Sequence, residues 1–371
     1  MKKAIVSVIN DLVTDQRVNK SCLVLQELGY EVLLVGRRRK RSLPLPSRPY
    51  AMHRMRLLFE HGPLFYACYN VLLFFVLLWR HADLLFANDL DTLLPNYLIS
   101  KIKNIPIVYD SHEYFTETPE LVNRKFVQDV WKKIEATLLP RIKTVITVND
   151  SIAKLFREKY HKEIHVVRNI PPQQKDASAP APVSLKLAND KPMVLLQGSG
   201  INIQRGAEEL VEAMQYVQRG QLLIIGGGDV IGQLKQMTLD LQLTDRITFM
   251  PPMPFEKLRS YTRLATIGLS IDKDTNINYR YSLPNKLFDY IHAGVPVMVS
   301  PLTEIKKIVD KWQVGEIISS HEPRSIALHI DAMLTDTEKL QLYRQNCLAA
   351  AKALNWENEK QVLIKILKQY V

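Results

Sequence analysis

The chain has 371 residues, 47% of them apolar and 23% charged, which excludes a disordered protein and exceeds one ordinary core, so two domains are expected. Its 49 Lys and Arg outnumber 38 Asp and Glu, and the net charge of +11 points to an anionic partner: a phosphorylated small molecule, a nucleic acid or an anionic membrane. Eight of the cations fall between Arg37 and Arg56 without a single acid. No zinc-finger, RNA-recognition or helix-turn-helix pattern accompanies them, so no nucleic-acid partner is expected.

The opening "MKKAIVSVIN" lacks a long apolar core and a small-residue cleavage site, and reads as a first strand and not a signal peptide. Strand-like runs then follow at 4–9, 31–35, 83–87, 106–109, 144–148 and 164–167. Helical patterns at 15–28, 92–103, 122–139 and 150–160 separate them. The longest apolar run, "VLLFFVLLW" at 71–79, falls short of the ~20 residues that span a bilayer and is expected as a buried helix, not a transmembrane one. Cys22, Cys68 and Cys347 lie far apart without metal spacing and read as buried free thiols of a reducing compartment.

After Asn169 the texture changes: "IPPQQKDASAPAPVSLKLANDK" has the Pro, Ala and polar content of a linker or its flank. Strand-like runs restart at 193–197, 222–226, 247–250, 267–271 and 295–300, again with helices between them. The βαβ alternation on both sides of a break predicts an α/β fold with two Rossmann-like domains, each a parallel sheet covered on both faces. Ligands of such sheets bind at the strand C-termini, so a central cleft faced by both sheets is the expected site.

Three strand ends in the second half carry candidate chemistry. "QGSGINIQRG" places Gly198, Ser199 and Gly200 between strand and helix, where backbone amides approach phosphate oxygens, with Arg205 at the helix start as a second anion contact or an ordinary surface cation. "GGGD" holds Gly226, Gly227 and Gly228, the mark of a crowded backbone, whether crowded by packing or by a ligand. In "YSLPNKLFDYIHAGVPVMVS" a helix is expected to begin at Pro284 and Asn285 with Lys286 in its first turn, where the dipole favours an anion and not a cation. A bound diphosphate resolves that conflict. Asp289, one turn deeper, is then either a ribose-binding carboxylate or a solvated acid.

The stretch "SLPNKLFDYIHAGVPVMVS" resembles the sugar-nucleotide motif of retaining glycosyltransferases of the GT-B fold, and most closely glycosyltransferase family 4. The likeness extends in order through "NDLVTDQRVNKSCLVLQELGYEVLLVG", "LFANDLDTLLP", "IVYDSHEYF", "ITVNDSIAKLF", "VVRNIP" and "NWENEKQVLIKILKQYV". It implies an acceptor-side domain at 1–175, a linker at 176–190, a nucleotide-sugar domain at 191–352 and a helix at 353–371 that crosses back. It also implies that Asp289 holds the donor ribose as the second acid of an E-x7-E motif, that Arg205 binds the diphosphate, and that His112 stands beside the reacting sugar carbon. The chain departs from the pattern at three places. Tyr281 replaces the first acid, Ser199 replaces a second diphosphate arginine for which Lys286 compensates, and Asn10 and Asp11 replace a glycine-rich loop.

The resemblance thus implies a cytoplasmic, metal-independent, retaining hexosyltransferase with a nucleotide sugar donor and a sugar or lipid-linked acceptor, serving cell-envelope polysaccharide or glycolipid synthesis. A sugar-nucleotide 2-epimerase of the same fold and an inert binding subunit are the rival readings. On the acceptor side stand Asp15, Arg17, Asp89, Asp110 and Glu113. Asp15 and Arg17 equally fit a helix-start acid and a salt-bridge partner, Asp89 and Asp91 fit caps of the helix from Thr92, and His112 fits a plain loop histidine. A metal on Asp110, His112 and Glu113 is disfavoured, because such close neighbours rarely converge on one ion. The 37–56 stretch is a solvated basic loop or a peripheral contact with an anionic membrane at its inner face.

Overall fold

The structure is a computed structural model that describes residues 1–13, 15–40, 42–173 and 191–371. It divides into two compact units, Met1–Asn169 with Glu359–Val371, and Ile170–Asn358. The division falls at Asn169, against 175 expected. The expected linker at 176–190 lies outside the described residues.

In the first unit the order is β1 Lys3–Ser7, α1 Gln16–Glu27, β2 Glu31–Arg38, β3 Ala51–Arg56, α2 Gly62–Trp79, β4 Leu84–Asn88, α3 Leu90–Lys103 and β5 Ile107–Ser111. It continues with α4 Pro119–Val122, α5 Lys125–Leu138, β6 Thr144–Thr147, α6 Asp150–Tyr160 and β7 His165–Val166. The strands form one parallel seven-stranded sheet in the order β3-β2-β1-β4-β5-β6-β7. The central strands β1, β4 and β5 read as short apolar runs because helices cover both of their faces; Ile5, Leu85, Phe86 and Val108 are fully buried.

The second unit runs β8 Met193–Gly198, α7 Ala207–Ala213, β9 Gln221–Gly226, α8 Ile231–Asp240, β10 Ile247–Met250, α9 Phe255–Thr262 and β11 Ile267–Ser270. After α10 Ile277–Arg280 come α11 Asn285–His292, β12 Val297–Val299, α12 Thr303–Trp312, β13 Gly315–Ile317, α13 Pro323–Thr335, α14 Thr337–Ala353 and α15 Trp356–Leu367. Its parallel sheet has the order β10-β9-β8-β11-β12-β13. The period-two alternation of β8 separates two cores: Val194 and Leu196 pack in one, Leu195 in the other.

Three expectations are corrected. The 37–56 stretch is not one loop: β2 extends to Arg38, and Ala51–Arg56 adds an edge strand whose register pairs Arg38 with Arg56. Its cations hid a strand that alternation alone did not reveal. The apolar run is not a buried helix, because α2 is 18 residues long and buries only one row. Phe65, Tyr69, Leu73 and Leu77, at four-residue spacing, face the core, while Leu64, Val71, Phe75 and Trp79 are exposed. The helix expected at 122–139 is broken at Asn123 and Arg124 into α4 and α5. The three cysteines are free, with Cys22 and Cys347 buried and Cys68 half-buried.

Candidate active site

In the second unit the glycine loops are built by backbone contact. A Cβ on Gly226 would stand 1.7 Å from the Gly198 carbonyl oxygen, and one on Gly228 would stand 2.0 Å from that of Ile201. The Gly227 amide donates to Gly198 O at 3.1 Å, and the Ile201 amide donates to Gly227 O at 2.9 Å. The ends of β8 and β9 are thus zipped together, with Gly198, Gly200 and Gly227 half-buried and Ser199 exposed. Packing of backbone on backbone explains these glycines, and it also leaves no side chain between the loop and an incoming ligand.

Arg205, from the loop before α7, and Lys286, from the first turn of α11, converge on a residue that the sequence reading did not single out. Asp272, two residues beyond β11 and buried, lies 3.5 Å from Arg205 Nη1 through Oδ1 and 3.2 Å from Lys286 Nζ through Oδ2. The Arg205 guanidinium also stacks 4.8 Å over the Tyr279 ring. One carboxylate between two cations leaves this trio with a net positive charge at the strand edge. Gly206, at φ +74°, seats the start of α7 against Ile271 O, where a Cβ would stand 2.3 Å from that oxygen. This close approach ties the Arg205 loop to the end of β11.

The helix that posed the electrostatic conflict begins at Asn285, with Pro284 in the N-cap position and no side-chain cap bond. Lys286 therefore lies in the first turn, beside amides that a ligand can use. Asp289, one turn on, accepts a 3.4 Å hydrogen bond from Gln197 Nε2, and Gln197 in turn accepts from Thr262 Oγ1 at 2.7 Å. Tyr281 is half-buried just before the helix. Asp272 and Gln197 were legible only as polar residues at strand ends.

In the first unit the ends of β4 and β5 hold a second cluster. Asp89, at φ +60°, makes no cap bond to α3. Instead its Oδ1 accepts the His112 amide at 2.9 Å and its Oδ2 lies 3.2 Å from His112 Nδ1. The other ring nitrogen, Nε2, lies 3.2 Å from Asn88 Oδ1 and 3.5 Å from Asp110 Oδ2. Burial opposes charge on the ring, but the Asp89 and Asp110 carboxylates outweigh it and raise the His112 pKa to about 9. The two carboxylates thus favour the imidazolium form of His112, while burial raises the pKa of Asp89 itself.

Arg17 and Asp110 are spent on each other. Arg17 donates to Asp110 from Nε at 3.0 Å and from Nη2 at 2.6 Å, and its Nη1 donates to Val167 O at 2.7 Å. Burial favours the neutral acid, yet Arg17 and His112 together hold Asp110 well below the carboxylate range. Asp15 is the N-cap of α1 and accepts from the Val18 amide at 3.1 Å. In the structure these three residues support His112 and the start of α1. Glu113 is half-buried in the loop that follows, and Asp91 is buried in the first turn of α3. Among the described residues no three His, Cys, Asp or Glu side chains are grouped to hold a metal ion.

The two doubly wound sheets that carry these clusters fall in stretches of sequence that match known families. The family described as Glycosyltransferase Family 4 matches residues 21–170, and Glycosyl transferases group 1 matches residues 191–336. The chain belongs to the family 4-like glycosyltransferases of the GT-B fold. This glycosyltransferase is 22% identical over 284 residues to the D-inositol 3-phosphate glycosyltransferase of Acidothermus cellulolyticus, over 71% of this chain and 62% of the relative. The corresponding enzyme of Nocardia farcinica is 25% identical over 198 residues, 50% of this chain and 42% of the relative. The matches thus span less than two thirds of either relative. Among solved structures, sucrose-phosphate synthase of Thermosynechococcus elongatus superposes with a TM-score of 0.78 at 18% identity, covering 100% of this chain and 99% of that one. Anabaena HepE in complex with UDP and glucose has a TM-score of 0.76 at 15% identity, with full coverage of both chains. At these identities the structures establish the fold.

Proposed function

We propose that this glycosyltransferase moves a hexose from a nucleotide diphosphate sugar to an acceptor hydroxyl, with retention and without a metal, in cell-envelope polysaccharide or glycolipid synthesis. The observation that carries the proposal is the convergence of Arg205 and Lys286 on Asp272 beside the N-terminus of α11. Two cations and a helix N-terminus match the charge that develops on a departing diphosphate, the role a metal plays elsewhere. Asp289, steadied by Gln197, takes the donor ribose. No side chain need form a covalent intermediate, because the departing phosphate oxygen can accept the acceptor's proton on the same face. His112 positions the sugar in turnover. HepE is seen with UDP-glucose, which makes that sugar nucleotide the first donor to test.

The location that fits a lipid-linked acceptor is cytoplasmic, with peripheral contact at the inner face of the membrane. The exposed row of α2 and the cations Arg39 and Lys40 in the same unit favour an anionic bilayer as the partner. Co-sedimentation with anionic and neutral liposomes tests that part; adhesion indifferent to lipid charge and salt removes it.

The activity itself is tested with a panel of nucleotide sugars, by calorimetry and by NMR of the released sugar in the presence and absence of EDTA. Slow hydrolysis with the donor's anomeric configuration, insensitive to EDTA, is the expected result. Inverted product, EDTA-dependent turnover, epimer formation or binding without turnover would each overturn the corresponding part.

A further inference from the structure

An open cavity of about 460 Å³, which the donor chemistry does not use, lies against the edge strands β2 and β3. Arg38, Arg54 and Arg56 line it from the sheet, and Leu43, Pro44 and Leu45 line it from the connecting loop. In the parallel register Arg38 stands opposite Arg56, and Gly36 stands opposite Arg54. Since side chains alternate along a strand, the three arginines share one sheet face. Arg54 is committed: its Nη2 donates to Asp11 at 2.6 Å and its Nη1 donates to Leu43 O at 2.8 Å, which fixes the loop over the strands. Arg38 and Arg56 form no ion pair among the described residues.

Like charges directly opposite each other across two strands are unfavourable, and the register places the Arg38 and Arg56 backbones on neighbouring strands, which pack about 4.8 Å apart. An anion with several oxygens relieves that repulsion and matches two guanidinium forks at once. The loop wall is apolar apart from Ser42, whose hydroxyl donates to Asp11, and Leu43 is 60% exposed. We propose that this cavity binds a phosphoryl group attached to an apolar chain, with the phosphate between Arg38 and Arg56 and the chain against Leu43, Pro44 and Leu45. The site deepens the proposed function, since it rests on the reading of this unit as the acceptor side. Its binding test needs neither donor nor turnover, so the two readings fail separately.

The test is calorimetry of the full chain at physiological salt with geranyl phosphate, geraniol and inorganic phosphate, on wild type and an Arg38→Gln/Arg56→Gln variant. Geranyl phosphate is expected to bind at least about tenfold more tightly than either of the others. The double variant is expected to lose that affinity by about tenfold or more while its Tm stays equal or rises, because a repulsive pair has gone. A Leu43→Ser variant should weaken geranyl phosphate and leave inorganic phosphate unchanged. Phosphate binding as tightly as geranyl phosphate would make this a site for a free anion and overturn the proposal. Geraniol binding equally well, or affinity unchanged in the double variant, would overturn it too.

Discussion

Asp289 and His112 are the two residues at which the proposed chemistry is most exposed to test. Asp289 accepts from Gln197, and the proposed function assigns its carboxylate to the donor ribose. Asp289→Asn is expected to weaken every accepted donor by roughly 1–3 kcal/mol with Tm unchanged, measured by calorimetry and thermal unfolding. Donor affinity equal to wild type would remove the ribose role. His112→Ala is expected to lower turnover far more than donor affinity, because most donor contacts are assigned to the second unit. It also has a pH signature. The folded pKa is raised from 6.5 to about 9, so the ring's contribution to stability is complete below about 6.5 and is lost as pH rises through about 9. The stability gap between wild type and His112→Ala should therefore shrink across that window, by on the order of 3 kcal/mol at most, in denaturant titrations. A gap constant from pH 6 to pH 10 would mean that the ring is neutral.

At the scale of elements, the glycine-rich ends of β8 and β9 make the sharpest prediction. Gly228 has φ +159°, and a Cβ there would press on Ile201 O at 2.0 Å. Backbone must move to admit it. Gly228→Ala is expected to reduce donor binding by about tenfold or more and to lower Tm as well, since Ile201 packs in a core of this unit. Unchanged donor affinity would place the loop away from the ligand. The same scale shows where local patterns mislead. The sequence signalled β8 and β9 plainly because both are short apolar runs closed by glycine. It concealed β3, whose "AMHRMR" reads as basic surface and is a strand only because β2 lies beside it. It also underrated α2, whose buried row at four-residue spacing lies inside an almost uniformly apolar stretch, so that no periodicity marked the exposed face.

At the scale of the whole chain, the last residues belong to the first unit. Glu359 binds Arg168 twice, from Nε at 2.8 Å and from Nη2 at 2.6 Å, and accepts the Arg168 amide at 2.8 Å. Leu363, Ile366 and Leu367 are buried, and the Tyr370 hydroxyl meets Thr144 Oγ1 at 2.6 Å. Removal of residues 359–371 is expected to lower the unfolding temperature of the first unit and spare donor binding by the second, read by calorimetric scans with and without nucleotide sugar. Loss of the donor-linked rise in Tm would contradict this.

The sequence by itself determined the fold class, the doubling of the α/β pattern and the family. Each of these rests on local signals: apolar runs, glycine at strand ends and a run of motifs in fixed order. It also placed Lys286 in the first turn of a helix, since Pro284 and Asn285 mark that start locally. The tertiary structure alone decided which groups meet. Asp272 gathers Arg205 and Lys286 from 67 and 14 residues away in the chain. Asp89 and Asp110 close on His112 from adjacent strand ends and favour its charged form. Arg38 faces Arg56 through register. Such meetings depend on strand order and register, which are set by packing across the sheet and leave no mark in the residues nearby.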